Sequence, residues 1–260
     1  MKNQDYFRQR AKTYFQVITI VAIRNIKLRY KNSALGFLWS LINPLILLGI
    51  FIFIFSTAFP DIENYPLYAI SGLIFWNFFS TGSNQILNSV IESGGILKSL
   101  SVPPIIFPIA ALYSALINLL LSLIPFFVLM FWFGFQPGWI TIMLLPILIL
   151  FSLFIYGFGI IICGLNVYYR DIGLFWNTIT PALLYITPVA YISTLVPENI
   201  RWVMKLNPLY HFMEAFRSVL YYGTMPTAKN LIILSILAFG LSMLGTVLFR
   251  KLKKGFISYY

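Results

Sequence analysis

The chain has 260 residues, of which 60% are apolar and only 10% charged, whereas an ordinary soluble domain carries roughly 25% charged residues. That composition excludes a single water-soluble core and a disordered, charge-rich chain alike, and it leaves an integral membrane protein. Eighteen Lys and Arg against seven Asp and Glu give a net charge of +11; because these cations gather at the chain ends and in connections, they read as determinants of membrane orientation, and no nucleic-acid partner is expected.

The first 31 residues hold eight Lys and Arg. From about Tyr14 to Lys31 the pattern is that of an amphipathic helix. Arg24, Lys27 and Lys31 share one face, and Tyr14, Ile18, Val21 and Leu28 share another, while Arg29 falls on the apolar side. Such a helix is expected to lie in the membrane interface near anionic lipid headgroups. Its apolar stretch Val17 to Ile23 is short and runs into Arg24 with no small-residue cleavage site beyond, so no signal peptide is read.

Six apolar stretches then approach or exceed the roughly 20 residues that a helical span requires. They are Ala34–Phe59, Pro66–Leu87, Ile105–Phe135, Ile140–Val167, Leu174–Leu195 and Leu231–Leu248. Unbroken runs such as Leu119–Phe135 contradict the alternation of a membrane strand. The expected fold is an all-α integral membrane protein of six transmembrane helices. In the second connection, Asn88 to Pro104, the pairs Gly94-Gly95 and Pro103-Pro104 bracket a short helix. Between spans five and six, Pro197 and Asn207-Pro208 are helix starts, and Gly223 with Pro226 is a stop. Two short helices are expected there, about Asn199–Leu206 and Pro208–Tyr222, the second re-entrant or interfacial on the outer side.

An even number of spans puts both termini on one side. That side then carries fourteen Lys and Arg, including Lys98 and Arg170, against Arg201, Lys205, Arg217 and Lys229 on the other. Multi-pass insertion in the cytoplasmic membrane with both termini cytoplasmic is expected. The organisation is a cytoplasmic interface helix over 1–31, a six-helix membrane domain over 32–250 and a cytoplasmic tail over 251–260.

The chain lacks the chemistry of an autonomous motor. No Walker motif occurs, since Leu97 stands before Lys98-Ser99 where a glycine is required. One cysteine, Cys163, and one histidine, His211, exclude an intrachain disulfide and a Cys/His metal cluster. No catalytic residue, metal or bound cofactor is expected. No Lys, Arg, Asp or Glu occurs in Asn32–Pro60, Ser99–Tyr169, Ile172–Pro197 or Asn230–Phe249. With no ionisable relay inside the membrane, uphill transport must draw its energy from outside the chain. A partner ATPase docked on the cytoplasmic connections is the expected source.

Within the spans, Asn43, Asn77, Ser80, Thr81, Ser83, Asn84, Asn118, Asn166, Asn177 and Thr180 are expected to bond across helices or line wet cavities. Pro44, Pro108, Pro125, Pro146, Pro181 and Pro188 mark kinks or hinges. Ala238, Ser242 and Thr246 on the last span, and Gly159 with Cys163 on the fourth, read as close-packing stripes. Trp39, Trp139, Trp176 and Trp202 fall near span ends, as an interfacial belt would. Tyr and Trp could also offer flat faces along which a glycan slides.

The run from Arg29, Tyr30, Lys31 and Asn32 through Leu35, Gly36 and Trp39 to Asn43-Pro44 resembles the RYKxSxLGxxWxxxxP signature of type-2 ABC exporter permeases for polysaccharides, including O-antigen and teichoic-acid export permeases. Asn166-Val167-Tyr168-Tyr169-Arg170-Asp171-Ile172 is similar to that family's segment before the fifth span, and Asn207-Pro208 with Arg217 is similar to its segment after it. The resemblance implies a homodimer of this chain with two ATPase subunits, which carry the ATP and Mg, exporting a lipid-linked glycan. It implies a coupling helix within Asn88–Pro104, with Glu92 and Lys98 at the ATPase contact, and Arg170 and Asp171 at the cytoplasmic end of the channel. The interface helix supplies Arg24, Lys27, Arg29, Tyr30 and Lys31. The outer helices, with Asn207, Pro208, Glu214 and Arg217, form a gate. The second connection departs from the family in carrying Gly94-Gly95 and Val102, where a more basic, aromatic stretch is the pattern.

Other readings remain at this stage. A drug or lipid exporter of the same architecture needs no polymer-wide channel. An intramembrane glycosyl- or acyltransferase would use Asp61, Glu63, Glu198 and His211 as acid–base groups. Arg170-Asp171 could be no more than a topology anchor with a local ion pair.

Overall fold

A computed structural model describes residues 2–55, 62–99, 102–193 and 196–259, without the side chains of 2–11, 37 and 257–259. Its described residues form helices and no strand. The helices are α1 Lys2–Arg29, α2 Trp39–Phe55, α3 Tyr65–Glu92, α4 Gly94–Ser99, α5 Ile106–Trp132, α6 Leu144–Tyr168, α7 Asp171–Ile186, α8 Arg201–Leu206, α9 Pro208–Leu220 and α10 Ala228–Leu252. Three α-helices, taken with adjoining 3₁₀ turns, are long and apolar enough to cross a membrane: Ile106–Trp132, Trp139–Tyr168 and Ala228–Phe256.

The six expected stretches coincide with α2, α3, α5, α6, α7 and α10, with altered ends. The first helix begins at Trp39 and not at Ala34, because Asn32 and Gly36 adopt left-handed φ angles of 62° and 51° and turn the chain back. Its expected end at 56–59 lies outside the described residues. The fifth ends at Ile186 and not at Leu195: Pro188 holds Thr187 extended (φ −89°, ψ 127°), and the helix cannot continue. At 16 residues, α7 reaches about 24 Å, short of a hydrocarbon core of about 30 Å, and α2 is described over its first 17 residues. α3 is long enough, at 28 residues, but carries a polar stripe.

α3 is the centre of the bundle. Its glycine and aromatic positions interlock with α6. A Cβ at Gly82 would meet Ile155 at 3.1 Å, and one at Gly159 would meet Ile86 at 2.8 Å. Ser89 and Cys163 lie 3.7 Å apart. The two helices therefore run side by side in the same direction. Phe75 stacks on Phe151 at 4.3 Å between centroids, and Phe212 of α9 sits 4.9 Å from Phe151 and 5.1 Å from Phe154.

α6 and α10 approach most closely at Gly157 and Gly245. A Cβ on Gly157 would fall on the Leu241–Ser242 backbone, and one on Gly245 would fall on the Gly157 carbonyl. This differs from the expected stripe. Ala238 is buried, but Ser242 is half-buried and Thr246 meets Tyr156 at 3.4 Å. Gly159 and Cys163 face α3, not α10. Backbone contact selects glycine, and the larger small residues sit beside that crossing.

Trp176, expected in the interfacial belt, is 6% exposed, donates to Ser83 Oγ at 3.3 Å and packs on Phe79 and Phe158. Its indole N–H found a partner inside the bundle, so the interface held no advantage for it. Trp39, Trp139 and Trp202 are exposed.

α1 packs on α5, with Val21 and Ala22 buried and Ser114 Oγ donating to the Ala22 carbonyl at 3.1 Å. Tyr168 Oη donates to the Leu252 carbonyl at 2.6 Å, which places the C-terminal end of α10 beside the ends of α6 and α3. The second half of α1 and the end of α10 thus share one end of the bundle with α4; α8 and α9 occupy the other.

Candidate functional site

Asn77, Ser80, Thr81, Asn84, Gln85, Asn88 and Glu92 project from α3. At 100° per residue they fall in one arc, and together they run about 22 Å along the helix. Two adjoining cavities open on this stripe. The inner one, about 470 Å³, is walled by Arg29, Tyr30, Trp39, Asn43 and Pro44, by Asn77 and Thr81, and by Asn118 and Ser122 of α5. The other, about 730 Å³, lies towards Glu92 and is walled by Arg24, Asn25, Leu28 and Arg29 of α1 and by Ser80 to Glu92 of α3. Arg29 and Thr81 line both.

These cavities hold most of the unsatisfied polar atoms found in the described side chains. Arg24 Nη1, Asn77 Nδ2, Asn84 Oδ1 and Asn118 Nδ2 are buried without a hydrogen-bond partner. A polar atom left so inside a bundle costs about 1–3 kcal/mol. Four of them around these two cavities are tolerable if water or polar cargo reaches them. Other groups on the same walls are fixed by bonds. Tyr30 Oη donates to Asn118 Oδ1 at 3.3 Å, and Ser122 Oγ donates to the Ser40 carbonyl at 3.1 Å. With the Gln85 amide oriented to suit its neighbours, its nitrogen donates to the Ala111 carbonyl at 2.9 Å and its oxygen accepts from Arg29 Nη2.

The sequence signature is therefore a cavity wall. Asn32 and Gly36 make the reversal, Ser33 Oγ accepts from the Gly36 N–H at 3.2 Å, and Tyr30, Trp39, Asn43 and Pro44 face the inner cavity, while Leu35 is exposed. The expected division of α1 into a headgroup face and an apolar face is corrected here. Its apolar arc is covered by α5 as far as Ala22; beyond that, the arc opens on the second cavity. Leu28 is exposed there, Arg24 is half-buried and turns inward, and Arg29, off-pattern in the sequence, lines the cavities. Lys27 and Lys31 remain exposed.

At the opposite end Arg217 of α9 is 1% exposed. It lies at the end of the bundle that holds the expected outer helices, and there it is a buried clamp. Nη1 donates to Tyr68 Oη at 2.7 Å and to the Pro188 carbonyl at 2.6 Å, Nη2 donates to the Val189 carbonyl, and the guanidinium carbon lies 3.7 Å from the Tyr68 ring centroid. Gly72 makes room for it, since a Cβ there would fall on the Val189 carbonyl and 2.7 Å from Arg217 Nη2. Asn207 ties the same break to the start of α9: Nδ2 donates to Thr187 Oγ1 at 3.0 Å, and Oδ1 accepts from the Leu209 N–H at 3.0 Å, with Pro208 opening the helix. Burial pushes the Glu214 carboxyl up from its ordinary value, opposed by the Arg217 and His211 charges.

At the α4 end, Lys98 is exposed, and Arg170 and Asp171 open α7, both exposed. No ion pair joins Arg170 to Asp171, contrary to the local pair considered above; among the described residues the recorded ion pair is Arg201–Glu198 at 3.9 Å. Asp171 instead sits in the first turn of α7, where its charge complements the helix dipole. The turn bearing this pair is held firmly. Asn166 Oδ1 accepts from the Gly173 N–H at 3.0 Å, and Asn166 Nδ2 donates to the Leu87 carbonyl at 3.3 Å.

The acid–base set of the enzyme reading is dispersed. Glu198 faces Arg201, His211 Nε2 is 2.8 Å from the Lys205 carbonyl, the Glu63 carbonyl accepts from Tyr221, and Asp61 lies outside the described residues. Much of the aromatic complement, expected in part to line a sliding channel, forms the packed column of Phe75, Phe79, Phe151, Phe154, Phe212 and Trp176. Phe53 on α2 and Phe175 and Tyr185 on α7 are exposed.

Residues 16–221 match the ABC-2 type transporter family. An O-antigen export system permease protein RfbA of Klebsiella pneumoniae is 30% identical over 93% of this chain and 94% of its own. Its namesake in Myxococcus xanthus is 28% identical over 90% and 91%, and the polysialic acid transport protein KpsM of Escherichia coli is 27% identical over 95% and 99%. A membrane-embedded, all-helical bundle with a polar face along its central helix and a family match over most of its length is a transport permease: the chain belongs to the ABC-2 type transporter family.

Proposed function

We propose that this chain is the permease subunit of an ABC exporter that moves a lipid-linked polysaccharide across the cytoplasmic membrane. The observation that carries the reading is the polar face of α3, with its two cavities and four unpartnered buried atoms, in a chain whose apolar stretches hold no charge. Such a face suits hydroxyl-rich cargo, and its stretch within the apolar span, Asn77 to Asn84, holds no ionisable group. The names of the relatives, O-antigen and polysialic acid transporters among them, support the cargo class.

In this reading α2, α3, α5, α6, α7 and α10 all cross the membrane, and both termini are cytoplasmic. Residues 1–31 form the cytoplasmic interface segment, 32–250 the membrane domain and 251–260 the tail. The permease works as a homodimer, with the path between the copies. The largely exposed faces of α2 and α7, with Phe53, Phe175 and Tyr185, are the surfaces available for that contact. Two ATPase subunits dock on the end that carries Glu92, Lys98, Arg170 and Asp171, and they hold the ATP and Mg. This chain has no enzymatic step of its own. ATP-bound partners favour one arrangement of the helices over the other through differential contacts, which is the only way a bound partner shifts such an equilibrium.

Replacing Arg170 and Asp171 together by Ala tests the reading. Both side chains are exposed and unbonded to each other, so insertion and folding are expected to stay intact. Export of the cell-surface polysaccharide is expected to fall by about tenfold or more, the loss of roughly 1.4 kcal/mol of coupling. In the assembled complex, lipid-linked glycan is expected to stimulate ATP hydrolysis where hydrophobic drugs do not. Wild-type export from the double variant would remove these residues from the coupling surface, and stimulation by drugs alone would replace the cargo.

A further inference from the structure

We infer that Asn166 is a positioning residue for transport: it locks the turn that carries Arg170 and Asp171 to the central helix α3, so that turn and helix move as one body. Asn166 lies near the end of α6 and is 2% exposed. Its short planar amide serves two other helices at once. Oδ1 accepts from the Gly173 N–H in the first turn of α7 at 3.0 Å, and Nδ2 donates to the Leu87 carbonyl of α3 at 3.3 Å. Gly173 lets the amide come so close, since a Cβ there would stand 2.9 Å from Asn166 Oδ1. An amide supplies the donor and the acceptor together, and an apolar side chain of the same size supplies neither.

α7 offers the bundle a narrow hold. Its buried residues are Gly173, Trp176 and Thr180, one stripe at helical spacing, whereas Leu174, Phe175 and Tyr185 are exposed. On that stripe Trp176 makes a second tie to α3, donating to Ser83 Oγ at 3.3 Å. Ser83 and Leu87, the two anchors on α3, are one helical turn apart and both fully buried. They adjoin Asn84 and Asn88 of the polar face. α4 follows α3 with Ser93 alone between them. A push on α4 and a push on the α6–α7 turn therefore arrive at the same helix, and each moves its polar face. Packed elements of this kind shift between discrete arrangements and do not deform gradually. Without the Asn166 bonds, motion of the turn swings the exposed length of α7 and leaves α3 behind.

The role in transport rests on the export reading; the lock itself does not, and the test has one arm for each. The first arm follows hydrogen exchange in the purified full-length chain in detergent. Asn166→Leu removes both bonds, and Gly173→Ala displaces the amide without altering it. Each is expected to speed exchange of the amides of 171–176 about tenfold or more, with the α9 amides unchanged. Alanine is also the better helix former, so Gly173→Ala keeps the test decisive if Asn166→Leu folds poorly. Gly240→Ala, where a Cβ meets nothing within 4 Å, is the control and is expected to leave exchange at 171–176 as in wild type. Wild-type exchange at 171–176 in both test variants overturns the lock. The second arm measures glycan exported per ATP hydrolysed by the complex of permease and ATPase in proteoliposomes. That ratio is expected to fall about tenfold or more in both variants. A merely structural role would lower export and hydrolysis together, with the amount of folded complex, and leave the ratio at its wild-type value; that result overturns the positioning role. A wild-type complex that hydrolyses ATP and moves no lipid-linked glycan overturns the export reading, and the role with it, while the exchange result still decides the lock.

Discussion

Arg217→Ala is expected to destabilise the protein by about 2–6 kcal/mol, since it leaves two buried carbonyls without a donor at about 1–3 kcal/mol each. The side chain is fully buried and bonds three groups on two other elements: the Tyr68 hydroxyl on α3 and the Pro188 and Val189 carbonyls beyond α7. Those carbonyls are exposed by the break at Pro188, and without Arg217 they face an apolar interior. Tyr68 Oη would still donate to the Tyr191 carbonyl at 3.0 Å, so the loss concentrates on the α7 end. Arg217→Lys keeps the charge, but a single ammonium cannot span the same acceptors, and an intermediate loss is expected. Thermal unfolding of the purified chain in detergent reads the effect. A melting curve for Arg217→Ala equal to wild type would mean that the clamp contributes nothing to stability.

The second large effect is expected at the α6–α10 crossing. Gly157→Leu places a side chain where the Leu241–Ser242 backbone already lies, and backbone cannot yield by changing rotamer. Overpacking of this kind costs about 3 kcal/mol when no flexible neighbour gives way. The helices would have to separate, and α10 would lose its most intimate neighbour. Gly240→Ala is the control, since nothing lies within 4 Å of a Cβ there and alanine is the better helix former by about 1 kcal/mol. It is expected to leave stability unchanged or slightly raised. Equal melting temperatures for Gly157→Leu and Gly240→Ala would contradict the close crossing.

The helical order was legible from hydropathy because lipid exposure demands long apolar runs. The ends were less so, because they depend on local backbone chemistry: Asn32 and Gly36 shorten the first helix, and Pro188 shortens the fifth. Asn207-Pro208 was read as a helix start and is one, capped through Asn207 itself. The burial of Trp176 and of Arg217 was not foreseen, for one reason. A residue's type tells what partner it wants, but not whether the fold brings that partner to it. Trp176 found Ser83, and Arg217 found two carbonyls released by a helix break. The polar face of α3 was partly visible as Asn77, Ser80, Thr81 and Asn84. Its continuation through Gln85, Asn88 and Glu92 follows from the same helical spacing and was available to a longer window. That Arg24 and Arg29 turn towards it was not, since this depends on where α5 ceases to cover α1.

The central claim is that this permease works with a separate ATPase, and purification tests it directly. The tagged chain, extracted from its own host in mild detergent, is expected to bring down a partner containing a Walker motif in one-to-one ratio, with two copies of each in the particle. Mass identification of the co-purifying chains and the mass of the intact complex give both numbers. A chain that purifies alone, and that supports no nucleotide hydrolysis when reconstituted with the ATPases of its host, would contradict the account.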